Sequence, residues 1–187
     1  MEFSNKDLPA RNQQNEGLPP FPCLWVGYAL GIIVVFAELV AVSRHPELSF
    51  GQLYVPPLYL FLPNFISLVY WLVCVYEYHA LLSQVTAKTY SISPLRAAWF
   101  HLIPIYGFYW AFRWPRELAR FVNSRLPSPL MKPEKTGILA FVAFVVFVLL
   151  DRGLGMILLF MVASHLTACL RSALAAPQTP MDELPFS

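Results

Sequence analysis

Four apolar runs of membrane-spanning length dominate this sequence. They cover residues 23–43, 58–82, 135–150 and 154–175. A helix crosses the hydrocarbon layer of a bilayer with about 20 predominantly apolar residues, each adding about 1.5 Å of rise. Only 13% of the 187 residues are charged, compared with about 25% in soluble domains, and one small water-soluble core cannot bury four such runs. The sequence therefore predicts an all-α integral membrane protein with four transmembrane helices.

Polar segments at both ends set the limits of the membrane domain. Residues 1–22 and 177–187 are predicted to be flexible tails on either side of a single membrane domain, residues 23–176. The N-terminal segment is rich in Pro, Asn and Gln, so it buries too little apolar surface to offset the entropy lost on ordering.

The last two apolar runs are separated only by Asp151, Arg152 and Gly153. So short a turn predicts a tight antiparallel helical hairpin, with its charges at the membrane surface, where they cost less than at the bilayer centre. The first run of this pair is short and spans the bilayer only if Lys135 extends its ammonium group to the interface. In the second apolar run of the chain, Pro63 is expected to bend the helix.

Residues 93–115 are also apolar, but they are interrupted. Pro104 removes a backbone donor and disfavours helix at the residue before it, and Gly107 relaxes the backbone just after. One straight spanning helix is therefore not expected. The sequence favours a helix, a break and a second helix, either re-entrant or lying along the surface. Its aromatic side chains are expected in the headgroup layer, which accommodates an apolar ring with a polar tip. These aromatic residues are Trp99, Tyr106, Tyr109, Trp110 and Trp114.

The distribution of Lys and Arg tests whether this segment crosses the membrane. If it does not cross, eleven of the thirteen basic residues share one side of the membrane. If it crosses, the best orientation divides them eight to five. Basic residues concentrate in cytoplasmic loops. The more polarised division favours four spans, with both termini in the cytoplasm and a broken segment, residues 93–126, on the cytoplasmic side.

The stretch PRELARFVNSRL reads as a basic amphipathic helix with Pro115 in its first turn. Its apolar residues gather on one side, and four arginines in and just before it can reach anionic groups. The sequence predicts contact between these side chains and anionic lipid headgroups or an acidic partner. The four arginines are Arg113, Arg116, Arg120 and Arg125.

The stretch SPLRAAWFHLIPIYGFYWAF resembles a pattern found in bacterial multi-span membrane proteins of unknown function. The pattern consists of Ser-Pro, a small residue, Ile-Pro and a closing Tyr-Trp-x-Phe. The matching residues are Ser93, Pro94, Ala97, Ile103, Pro104, Tyr109, Trp110 and Phe112. The resemblance extends through RWPRELARFVN and implies a multi-span protein of the bacterial plasma (inner) membrane. It transfers no catalytic residue to this chain.

Glu38 is the one acidic residue within the first apolar run. It lies on the same helix face as Gly27 and Gly31, a GxxxG spacing that favours close helix packing. The favoured interpretation is a structural carboxylate near the outer membrane surface, paired with Arg44 or Arg152. The alternative is a group that handles protons or cations, because intramembrane acids often mark transport pathways.

Three polar residues suggest a pocket near the cytoplasmic face. Glu77 and His79 end the second apolar run, and His101 lies in the broken segment. The three are interpreted either as interfacial side chains in contact with headgroups or as a polar pocket for a quinone-like ligand. Haem is disfavoured because His79 and His165 lie at unequal depths for two axial ligands.

The fourth apolar run carries small residues at every fourth position. Ser164, Ala168 and Ser172 share one helix face, a spacing typical of close helix–helix contact in membranes. The sequence therefore predicts a packing surface for another helix, within the chain or from a partner.

Composition and motifs exclude several functional classes. A net charge of +2 is too small to indicate nucleic-acid binding. The three cysteines have no metal-ligand spacing, and no phosphate-binding loop or hydrolase motif occurs. No cofactor, metal or catalytic residue is predicted. The chain is interpreted as a structural, assembly or interaction subunit of the bilayer, with a membrane-protein partner or a second copy. The alternatives are a small transport component and a redox subunit.

Overall fold

The computed structural model describes residues 21–44, 58–86, 92–126 and 128–175, which are mostly helical and contain no strand. Four helices are each long and apolar enough to cross a membrane: α1, α2, α5 with its π-helical end, and α6. The predicted all-α membrane protein with four transmembrane helices is confirmed. The predicted tails, residues 1–22 and 177–187, lie outside the described residues apart from residues 21 and 22. The helices are α1 (Leu24–Arg44), α2 (Leu58–Val85), α3 (Pro94–Trp99), α4 (Tyr106–Ser124), α5 (Pro133–Val145, extended by the π-helical residues Val146–Leu150) and α6 (Arg152–Ala175).

α6 is the central helix, and α1, α2, α4 and α5 all contact it. α1 runs antiparallel to it, because Tyr28 near the start of α1 bonds Ser164, while Gly31 packs near Ile157. Phe21, just before α1, lies under the guanidinium group of Arg171 at 4.9 Å, so this part of the chain follows α6 to its last turns.

The turn between α5 and α6 is as tight as predicted. Asp151 is the one residue between the two helical stretches, and its carboxylate accepts a hydrogen bond of 2.6 Å from the backbone of Leu154. It thereby caps the N-terminus of α6. One turn later, Gly155 lies directly against the backbone of Phe147. The absence of a side chain at Gly155 is what lets the two helices approach so closely.

α3 and α4 form a hairpin that enters and leaves the bundle on the same side. α4 runs antiparallel to α5, because Arg116 bonds Glu134 in the first turn of α5 and Phe108 packs against Phe144. Glu134 and Phe144 are ten positions apart, or about 15 Å of helix. The start of α4 therefore lies about two-thirds of the way along α5 and its π-helical end. Residues 93–115 pack beside the spans, as in a re-entrant hairpin, and do not lie across their ends.

The Ser-Pro pair starts the hairpin for a simple physical reason. Ser93 is the N-cap of α3, and its hydroxyl accepts a hydrogen bond from the backbone of Arg96. Pro94 occupies the first helical position, where its fixed φ suits the helix and its missing N–H would have had no partner. This part of the resemblance is therefore a helix start.

The break at the tip of the hairpin contains a strained turn. The backbone N–H of Tyr106 donates to the carbonyl of Pro104 at 2.7 Å, and Ile105 between them has φ 66° and ψ −52°. These angles define the rarer form of the γ-turn, and a positive φ is costly for a β-branched residue. The Ile105 side chain is 86% exposed. The tip of the hairpin thus presents an apolar side chain on the outer surface of the bundle.

The amphipathic helix begins earlier than predicted. Pro115 was expected in its first turn, but it lies inside α4, which starts at Tyr106. A proline in a helix interior removes one backbone hydrogen bond and crowds the carbonyl four residues before it. The helix continues because that residue is the small Ala111 and because one face of α4 is buried on both sides of Pro115. The basic helix and the second half of the re-entrant hairpin are one element.

Candidate functional site

A cluster of histidine and tryptophan rings fills the space between α2 and the re-entrant hairpin. We call it the His–Trp cluster. The Trp114 ring is central, with its centroid 5.9 Å from His79, 6.3 Å from His101 and 6.3 Å from Trp71. Trp110 stacks on His79 at 5.7 Å. All five side chains are at least nine-tenths buried, so the cluster is a closed core.

Five aromatic residues of the hairpin were expected in the headgroup layer, and for Trp110 and Trp114 the structure shows a buried position in the protein instead. Trp110 is 0% exposed and Trp114 is 2% exposed, whereas Trp99 and Tyr109 are at least half exposed. Trp110, Trp114 and Leu118 recur at four-residue intervals, which places them on one helix face. This spacing, together with the small residues Gly107, Ala111 and Ala119 on the same side of α4, is the pattern in the sequence that indicates a buried helix face.

His101 holds one defined neutral form. Its Nδ1 lies 3.2 Å from the carbonyl oxygen of Ala97, and because a carbonyl only accepts, Nδ1 carries the proton. His101 is only 7% exposed, and burial disfavours the charged form of an imidazole. The ring is therefore uncharged at neutral pH, and its Nε2 is a hydrogen-bond acceptor.

The structure brings His79 and His101 into one cluster but places Glu77 elsewhere. His79 is fully buried, whereas Glu77 is only partly covered. Residues two positions apart on a helix point to nearly opposite sides. Glu77 therefore lies away from the side of α2 that carries His79. The polar pocket, one of the two interpretations of these residues, retains His79 and His101 but not Glu77.

His165 is also separate from the His–Trp cluster. It is exposed on α6, with Cys169 Sγ 4.0 Å from its Nε2. Among the described residues, no group of three or more His, Cys, Asp or Glu side chains is placed to hold a metal ion.

One buried hydrogen bond that the sequence analysis missed joins α2 to α6. The Tyr78 hydroxyl donates to the carbonyl of Ala163 at 2.9 Å and also pairs with the Thr167 hydroxyl. Its ring packs 5.8 Å from Trp114. Tyr78 follows Trp71 by seven positions, a repeat that places both on the same face of α2.

Glu38 lies at the N-terminus of α6 and not in an ion pair. Its Oε2 accepts a hydrogen bond of 3.3 Å from the backbone N–H of Gly153. No salt bridge from Glu38 to Arg44 or Arg152 occurs in the part of the chain that the structure describes. A carboxylate at a helix N-terminus satisfies an otherwise unpaired donor and is favoured by the helix dipole. The pairing expected from the sequence is therefore replaced by a capping contact, with Asp151 capping the next residue.

The glycine face of α1 packs closely against α6. A Cβ added to Gly31 would come within 2.8 Å of the Ile157 side chain, and one added to Gly153 within 2.6 Å of the backbone nitrogen of Val35. Gly27 faces the ring of Phe160 in the same way. These contacts place Glu38 against α6 and shield it from lipid on that side.

The small-residue stripe of α6 is only partly used within the chain. Ser164 bonds Tyr28 at 2.9 Å. Ala168 and Ser172, on the same face of α6, are exposed. The described chain therefore leaves a strip of small side chains without a packed neighbour.

The four arginines lie along α4 at the open end of the hairpin. Arg113 bonds Glu117 at 2.6 Å, and Arg116 and Arg120 both reach Glu134, at 2.6 and 3.4 Å. These contacts involve exposed side chains, so they hold the guanidinium groups in position with little net stabilisation. The fourth arginine is Arg125, whose guanidinium carbon lies 5.2 Å from the ring centroid of Phe121.

Comparison of this chain with protein-family models, with curated protein sequences and with solved structures gave no match.

Proposed function

We propose that this protein is a structural or assembly subunit that binds a transmembrane helix of another membrane protein. The observation that carries the proposal is the exposed strip at Ala168 and Ser172 on the last turns of α6. Small side chains let two helix backbones approach closely, and close packing is what holds helices together in a bilayer. Within the chain, the same stripe already serves this purpose at Ser164.

A polar side chain beside the strip supports a protein partner over lipid. His165 is exposed on α6, ten positions before the end of the helix, or about 15 Å along it. A polar group facing hydrocarbon at such depth is costly, and such groups usually face other protein. A partner helix packed on Ala168 and Ser172 would cover this imidazole.

The placement of the intramembrane polar groups also favours this role over transport. Glu38 is engaged at the N-terminus of α6 and Tyr78 bonds α6 within the core. Both groups hold helices together. If Glu38 bound a transported proton or cation, its hydrogen bond to α6 would have to break.

The basic surface of α4 supports a second contact, with anionic lipid headgroups of a bacterial inner membrane. The four arginines lie at the end of the bundle where α4 ends and α5 begins, next to Lys132 and Lys135. Basic side chains at a membrane surface each gain about 1 kcal/mol from anionic lipid. Because such residues concentrate on the cytoplasmic side, we place this end, and both chain termini, in the cytoplasm.

Leucine substitutions on the α6 strip test the proposed contact. Ala168→Leu and Ser172→Leu add bulk at exposed positions, so each variant should fold as the parent does while keeping a partner helix at a distance. We expect the amount of partner protein that co-purifies with each variant in a mild detergent to fall about tenfold or more. This loss is equivalent to about 1.4 kcal/mol of binding free energy. Val142→Leu, which enlarges an exposed side chain on α5, should retain it.

Cross-linking identifies the occupant of the strip. A cysteine at Ala168, in a background without the native cysteines, should cross-link to a different membrane protein. A product with twice the mass of this chain would show a second copy there instead. If nothing co-purifies with the parent, or if both leucine variants retain the partner, the strip is not the contact surface.

Cysteine labelling tests the proposed orientation. Ser124 ends α4 and Ser43 lies at the far end of α1, and both are exposed. In a background without the native cysteines, Ser124→Cys should react with a membrane-impermeant maleimide only after the cytoplasmic side is opened. Ser43→Cys should react in intact cells. Labelling of both from one side would contradict four spans, and the reverse pattern would contradict the orientation.

A further inference from the structure

Two facing side chains in the His–Trp cluster carry buried nitrogen atoms without a hydrogen-bond partner in the described part of the chain. These atoms are Nε2 of His101 and Nε1 of Trp71. The two rings are 6.1 Å apart and nearly perpendicular, and the residues are only 7% and 2% exposed. Unpaired polar atoms are costly in a low-dielectric interior, where no bulk water can replace the missing partner.

The two nitrogen atoms are chemically complementary. His101 Nε2 accepts, because Nδ1 carries the ring proton and donates to Ala97. Trp71 Nε1–H only donates. The group that satisfies both atoms must therefore donate one hydrogen bond and accept another. A hydroxyl does both, whereas a carbonyl compound only accepts.

The two rings are also direct neighbours, with their centroids 6.1 Å apart in an edge-to-face arrangement. Each hydrogen bond between a nitrogen and an oxygen measures about 2.7–3.2 Å, so one small polar group serves both nitrogen atoms if they lie within about 6 Å of each other. Ser67, one turn before Trp71 on the same face of α2, is 1% exposed and its hydroxyl is also without a partner among the described residues. It is a further polar group on the side from which Trp71 projects.

We propose that His101 and Trp71 hold a hydroxyl group between them, which donates to His101 Nε2 and accepts from Trp71 Nε1–H. Ordered water supplies such a group, and so does the hydroxyl of a bilayer-soluble molecule. This site is separate from the helix-binding strip on α6.

Solid-state NMR of the full-length protein tests the site. The protein carries ¹⁵N-labelled backbone, histidine and tryptophan and is reconstituted in synthetic phosphatidylcholine. If water occupies the site, magnetisation from water should reach the Trp71 indole N–H severalfold faster than the amide of Val75, which is 0% exposed on the same helix. The His101 Nε2 resonance should show the shift of a hydrogen-bonded acceptor.

A second preparation separates the two sources of the hydroxyl. If a bilayer molecule occupies the site, the His101 shift should appear in protein purified with its native lipids and disappear after delipidation into synthetic lipid. The proposal is overturned if His101 Nε2 has the shift of a free neutral imidazole in both preparations and Trp71 receives no magnetisation from water.

Two matched variants test the pairing. Trp71→Phe removes the donor and should move the His101 Nε2 resonance towards the free value. Trp110→Phe removes the same group from the ring stacked on His79 and should leave His101 unchanged. An unchanged His101 resonance in folded Trp71→Phe would contradict the bridge. If Trp71→Phe does not fold, the measurements on the parent decide the question alone.

Discussion

Gly155→Ala is expected to lower the free energy of unfolding by about 3 kcal/mol or more, because overpacking against a rigid neighbour is strongly destabilising. A Cβ at Gly155 would overlap the backbone nitrogen and Cα of Phe147. Backbone atoms cannot rotate out of the way, so α5 and α6 would have to separate at their shared turn. Reversible unfolding in mixed detergent micelles, followed by circular dichroism, measures the loss.

Gly31→Ala is the matched control for this variant. It adds the same methyl group and the same gain in helix propensity, about 1 kcal/mol. Its obstacle, however, is one side-chain atom, Cγ1 of Ile157, and that side chain is only partly buried, so it has more room to shift than a backbone does. We expect a change of about 1 kcal/mol or less, within the range of ordinary substitutions. Equal losses in the two variants would show that the backbone contact at Gly155 does not control the hairpin.

Trp114→Ala is expected to destabilise the protein by about 3–5 kcal/mol, the usual cost of truncating a buried Trp. The Trp114 ring is 2% exposed and contacts Trp71, Tyr78 and both buried histidines. In a bilayer the loss comes mainly from van der Waals contacts, since lipid is as apolar as the core. The same unfolding measurement should show the loss, and limited proteolysis should show earlier cleavage near the hairpin.

Trp99→Ala provides the comparison on the same hairpin. Trp99 is 58% exposed at the end of α3, so its removal opens no cavity. We expect a change within about 0.5 kcal/mol, as for other surface positions. If Trp99→Ala were as destabilising as Trp114→Ala, the headgroup placement of these aromatic side chains would be the better description.

The candidate site was only partly predictable because hydropathy does not say which apolar face is covered. His79 and His101 are found in one cluster, but Glu77 is not, since it points to the other side of α2. Trp110 is buried in a core although the same type of residue is typical of membrane interfaces. The four-residue spacing of side chains along α4 indicates which face is buried, whereas the composition of the segment does not.

The role of Glu38 shows a different limit. Its position on the glycine face of α1 could be derived from residue spacing. Its partner could not, because the N-terminus of α6 is 115 positions away in the chain. Charge alone predicted an arginine as the partner of Glu38. In the structure, the partner is a backbone N–H of α6.

The sequence by itself determined the number of spans, the tight turn at Asp151 and the break around Pro104, because each is a local property of run length or backbone chemistry. Tertiary structure decided how deep the hairpin enters, which rings are buried and what Glu38 contacts. In a membrane, apolar side chains suit both lipid and the protein interior. Only the packing of helices that are distant in the chain distinguishes the two environments.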